Sequence, residues 1–121
     1  MALSVRDIDR SADWYAGLLD LTLVAETDDG APMKIFVNDC GQAIDLRQDL
    51  GVAPEPFTQT RVGLDHLAFS CADLAELEAW LHRIQGRGVT HSPIATSPFG
   101  THLTFRDPDG IPLEFFVPTA R

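Results

Sequence analysis

Apolar and polar positions along this chain change period in the same order twice. Residues 1–5, "MALSV", are a short apolar run that reads as a strand. In residues 6–21, "RDIDRSADWYAGLLDL", Ile8, Ala12, Tyr15, Leu18 and Leu19 recur on one side of a helix. Asp7 or Asp9 can cap it, and Asp20 tolerates the left-handed conformation that ends helices. Three strands are predicted next, at 21–26, 33–37 and 42–47, separated by the turn segments "ETDDGAP" and "NDCG". Residues 48–63 hold Pro54, Pro56, Gly51 and Gly63 with little periodicity and read as a linker. The order then starts again with a strand at 64–71 and a helix at 72–88. That helix is capped by Asp73 and carries a stripe of Leu74, Leu77, Leu81 and Ile84. Strands follow in "VTHSPI", "THLTFR" and "IPLEFFV".

The repetition holds residue by residue. A shift of 66 carries Leu3 to Phe69, Val5 to Cys71, Asp7 to Asp73, Ile8 to Leu74, Trp14 to Trp80 and Leu18 to Ile84. At the module ends a shift of 69 carries Gly41 to Gly110, Ile44 to Leu113, Asp45 to Glu114 and Leu46 to Phe115. The expectation is an α+β fold of two tandem βαβββ modules, 1–47 and 64–121, joined by the 48–63 linker into one domain.

Composition narrows the function. A hydrophobic fraction of 45% over 121 residues is enough for a packed core. Nine basic against eighteen acidic residues give a net charge of −9, which argues against nucleic acid and anionic membranes. The same charge suits metals or cationic small molecules. No apolar run approaches a membrane span and no signal peptide is apparent, so a cytoplasmic protein is expected, with Cys40 and Cys71 as free thiols. A phosphate loop, a serine nucleophile motif and a CxxC pair are all missing.

Glu114 is the odd residue in its strand. Ile111, Leu113, Phe115 and Val117 alternate on one face, and Glu114 shares the other with Pro112 and Phe116. Read alone, that is a strand with one face in water. His66, at the start of the module, reads alone as a structural histidine. On "THLTFR", Leu103 and Phe105 alternate with His102 and Thr104, which therefore share the opposite face.

The segments "LSVRDIDRSADWYAGLLDLTLV", "GLDHLAFSCADLAELEAWLHRIQGRGV" and "FGTHLTFRDPDGIPLEFF" resemble the vicinal oxygen chelate superfamily, over nearly the whole chain except the linker. That group includes glyoxalase I, extradiol dioxygenases and bleomycin resistance proteins. The resemblance implies two modules whose strands curl into a cup with helices outside. It implies a divalent metal ion (Zn, Fe, Mn, Ni or Co) held by His66 and Glu114. Asp45, the counterpart of Glu114, is one methylene shorter and can ligate directly, ligate through water or cap its own turn. His102 and Glu114 are the expected proton carriers, His102 otherwise being a polar residue at the cup rim. A further ligand slot falls just ahead of Met1, to be filled by an upstream residue, by water or substrate, or by the N-terminal amine.

The implied activity is that of a metal-dependent lyase, isomerase or dioxygenase. It would act on a small organic molecule that presents oxygens to the metal, through an enolate or other oxyanion. The other reading is a metal-free protein of the bleomycin-resistance type that sequesters a cationic drug. A homodimer is expected in either case.

Overall fold

The computed structural model describes residues 1–28, 30–39 and 42–119. Cys40 and Gly41, and with them the free thiol at 40 and the match of Gly41 to Gly110, lie outside the described residues. The chain forms two compact units, Met1–Pro56 and Phe57–Arg121.

In the first unit, β1 (Ala2–Ser4) is followed by α1 (Ile8–Leu19), then β2 (Thr22–Thr27), β3 (Met33–Val37) and β4 (Ala43–Arg47). The sheet order is β1-β4-β3-β2, with β1 parallel to β4 and the remaining pairs antiparallel. Asp7, not Asp9, caps α1: its carboxylate accepts from the Arg10 N–H at 3.1 Å. Asp20 closes the helix at φ 54°, ψ 51°. α1 packs on β3 and β4, burying Ile8, Ala12, Tyr15 and Leu18 with Phe36, Ile44 and Leu46. Ser11 is also fully buried there, and β2, an edge strand, is exposed along its length.

The second unit repeats the plan. It comprises β5 (Leu67–Ser70), α2 (Leu74–Gly86), β6 (Ala95–Ser97), β7 (Gly100–Arg106) and β8 (Pro112–Pro118), in the order β5-β8-β7-β6. β5 runs parallel to β8. Asp73 caps α2 by accepting from the Glu76 N–H at 2.9 Å, and the Glu76 carboxylate reaches back to the Ala72 N–H at 2.6 Å. α2 packs on β7 and β8. Phe115 is the centre of this core: Trp80 stacks on it with ring centroids 4.5 Å apart, and Phe105 stacks on it at 5.2 Å. Leu77, Ile84, Leu103 and Leu113 close around the rings. Emptying such an aromatic site costs about 3–5 kcal/mol.

Three expectations are corrected. Residues 89–94, expected as a strand, make a single bridge, His91 to Phe105, and the strand begins only at Ala95. Pro93 has no N–H, and the Thr104 N–H donates to the Ser92 hydroxyl at 3.0 Å instead of to a backbone carbonyl, so the ladder breaks there. Leu74 does not join the helix stripe. At the first position of α2 it is 50% exposed, and only Leu77 and Ile84 are fully buried. The strand expected over 64–71 is shorter, and His66 lies one residue ahead of β5.

β7 and β8 are joined by the Asp107-Pro108-Asp109-Gly110 turn. Asp107 is buried and its Oδ1 accepts from the N–H groups of Asp109 at 2.9 Å and Ile111 at 2.8 Å. Gly110 takes φ 82°, which its missing Cβ permits. Among the described residues no helix is long and apolar enough to cross a membrane.

Candidate functional site

Glu114 sits at the middle of β8, with Ala68 of β5 opposite it on one side and Thr104 of β7 on the other. Its neighbours Leu113 and Phe115 point into the helix side and are fully buried. Period two therefore sends Glu114 to the other face, where its side chain is 17% exposed. A carboxylate so far out of water requires a donor or a cation.

Close to it is an imidazole. His66 Nε2 lies 3.5 Å from Glu114 Oε2. On its far side the ring meets Asp65, with Nδ1 2.7 Å from Oδ2. An ionised carboxylate only accepts, so Nδ1 carries a proton, and in the neutral form of the ring the Nε2 lone pair faces Glu114. Two acceptors then face each other. The 3.5 Å gap is longer than a charge-assisted N–H···O bond of about 2.7–2.9 Å. It is close to the roughly 3.4 Å that separates two donors each about 2.1 Å from one tetrahedral ion. The pair thus fits two adjacent positions in a metal's coordination shell. Among the described residues no three His, Cys, Asp or Glu side chains gather into a metal-holding group.

The pair borders a pocket of about 460 Å³ in the second unit. Thr104, Arg106, His91, Ser92 and Gln59 contribute to its wall. That volume suits a small organic ligand. The Ser92 carbonyl can only accept, so His91 donates its Nδ1 proton to it at 2.7 Å. His91 and Gln59 escape a reading of the sequence because neither has a repeat partner and Gln59 falls in the linker; the adjacency of Asp65 to His66 was the one visible signal.

His102 stands apart from this pair. His102 is on the face of Thr104 and Glu114, but one row of pairs further along, opposite Phe116 and Ala95, and it does not line the pocket. Asp45 belongs to the first unit. Its Oδ2 takes two hydrogen bonds from Arg47, at 3.0 and 3.2 Å, and these hold the guanidinium above its ordinary pKa. Its Oδ1 is buried with no hydrogen-bond partner. The N-terminal ammonium donates to the Ala43 carbonyl at 3.2 Å.

Two βαβββ modules in tandem define the class. The chain belongs to the glyoxalase/bleomycin resistance protein/dioxygenase superfamily, whose family model matches residues 1–115. It is similar to a solved glyoxylase/bleomycin resistance protein/dioxygenase domain from Frankia sp. EAN1pec, with 35% identity and a TM-score of 0.90, covering 98% of this chain and 94% of that one. Two more distant structures share the fold. One is a lactoylglutathione lyase from Agrobacterium tumefaciens, with 22% identity, TM-score 0.73 and coverage of 97% and 90%. The other is TnmS3, an antibiotic binding protein from Streptomyces sp. CB03234, with 21% identity, TM-score 0.76 and coverage of 98% and 93%. No curated protein matches the chain closely enough to count as a relative.

Proposed function

We propose that His66 and Glu114 hold a divalent metal ion and that the chain is a metal-dependent enzyme acting on a small organic molecule with chelating oxygens. The observation that carries this is His66 Nε2 and Glu114 Oε2 facing each other at 3.5 Å. When bound, the ion (Zn, Fe, Mn, Ni or Co) would act as a Lewis acid on ligand oxygens, lowering the cost of an enolate or other oxyanion. The protein's own residues do the rest. The pocket wall of Thr104, Ser92 and Gln59 offers hydrogen bonds that orient a polar ligand beside Glu114. Glu114 can take a proton from it, and His102 is the proton carrier for a ligand that reaches past Phe116.

The test is a titration of the full chain with Zn²⁺ and, separately, Co²⁺, followed by calorimetry and by cobalt absorption. One ion per chain is expected, with loss of at least about a hundredfold in affinity in His66→Ala and in Glu114→Gln. Equal binding by the wild type and both variants would overturn the proposal.

A second reading has its own support. Only two donors meet at this site among the described residues, and the pocket lining includes two carboxylates, Asp65 and Glu114. Such an acidic wall fits a protein that captures a cationic small molecule without metal. TnmS3, which shares the fold, is an antibiotic binding protein. Ligand capture that survives chelation of all metal, and weakens with salt, would favour this reading.

A further inference from the structure

We infer that Asp65 is a positioning residue: it selects the tautomer of His66 and aims Nε2 at Glu114. The geometry stands by itself; only its consequence for metal affinity rests on the function proposed above. Neither Asp65 nor His66 lies in a strand, since β5 begins at Leu67. No ladder hydrogen bond therefore fixes this stretch of backbone. The His66 side chain is 45% exposed, so packing does not fix the ring either. Its close partner is the Asp65 carboxylate at 2.7 Å, the short distance of a charge-assisted bond.

That bond decides the chemistry of the other nitrogen. Free in water, a neutral imidazole prefers its proton on Nε2, the nitrogen that faces Glu114 here. A ring in that state would donate to Glu114 and could not ligate through Nε2. Asp65 reverses the preference by accepting from Nδ1. The electron pair on Nε2 is then free to ligate. Asp65 is 76% exposed, so it contributes through this one contact and not through burial.

The experiment uses the full chain and the variants Asp65→Ala and Asp65→Asn, with folding checked by circular dichroism. Nitrogen-15 spectra of the histidine rings, recorded without metal at a pH where the ring is neutral, read the tautomer directly. The wild type should carry the His66 proton on Nδ1. Asp65→Ala should move it to Nε2, and Asp65→Asn should keep it on Nδ1, because the amide oxygen still accepts. Zn²⁺ affinity should fall about tenfold to a hundredfold in Asp65→Ala and by less than that in Asp65→Asn. An unchanged tautomer in Asp65→Ala overturns the inference, as does equal weakening in the two variants, which would mean that only charge matters. A tautomer switch in a protein that never binds Zn²⁺ upholds the inference and overturns the metal reading. Binding that depends on His66 but ignores Asp65 does the reverse.

Discussion

His66 Nε2 faces Glu114 Oε2 across 3.5 Å, and both residues line one pocket. With the ring neutral, such an arrangement costs stability when nothing lies between the two groups. Glu114 is 17% exposed, and its carboxylate has given up much of its hydration. In the presence of a chelator, Glu114→Gln should therefore be neutral or stabilising, by up to about 1 kcal/mol in urea denaturation. With Zn²⁺ at about a hundred times its dissociation constant, the wild type should gain about 2.7 kcal/mol and the variant almost nothing. A variant destabilised by about 2 kcal/mol or more without metal would show that the carboxylate has a structural partner instead.

Asp107 takes two backbone N–H groups into its side chain and closes the hairpin whose second strand carries Glu114. Those donors are buried with it, so removing the acceptor strands them. Asp107→Ala should cost about 2–3 kcal/mol. Asp107→Asn keeps an oxygen in place and should cost about 1 kcal/mol. Equal losses in the two variants, measured by urea denaturation, would assign the effect to charge and not to the hydrogen bonds.

Gly100 opens β7 at φ 153°, opposite Pro118. A Cβ there would meet the Phe116 ring at 2.9 Å and run into the Val117 carbonyl. Backbone cannot yield as a flexible side chain does, and the ring it would push lies on the Glu114 face of β8. Gly100→Ala should cost about 2–4 kcal/mol. It should also disturb Phe116 and its row partner His102, visible as shifted ring resonances. A variant with wild-type stability and unshifted rings would refute the steric argument.

The repeat was legible because it is written in elements of local physics. The Asp7 and Asp73 caps are 66 apart, and both hold. The double shift is visible in the ladders themselves: Ala2 lies opposite Asp45 as Ala68 lies opposite Glu114, and Ile35 pairs with Asp45 as Thr104 pairs with Glu114. Glu114 and His66 could be picked out from that alignment and from family resemblance. Their separation could not, because it depends on His66 leaving the strand before β5 begins. Residues 89–94 misled for a different reason. The β-branched Val89, Thr90 and Ile94 suit a strand, but the Ser92 hydroxyl occupies the place of a ladder carbonyl, a competition that composition does not register. Leu74 fits the helical stripe by spacing, yet at the first position of α2 it is left half exposed. His91 had no signal at all, since its side chain bonds to the backbone of the next residue.

Cys71 gives a prediction about pH. The thiol is 3% exposed, immediately after β5, and burial pushes its pKa from 9.0 up to about 11, with the negative charge of Glu76 adding to the effect. Below about pH 9 the thiol is protonated in both the folded and the unfolded chain, and it contributes no pH dependence. Between about 9 and 11 the unfolded chain releases the proton while the folded chain keeps it. The unfolded state then binds fewer protons, so stability falls as pH rises, by roughly 2–3 kcal/mol across the window, and levels off above it. Other groups titrate in the same range, so the comparison is with Cys71→Ala. That variant loses about 1 kcal/mol of packing at neutral pH. It should lose less on going to pH 11, and the two stability curves, measured under reducing conditions, should converge or cross. Parallel curves over the whole range would show that the folded chain does not hold this thiol protonated.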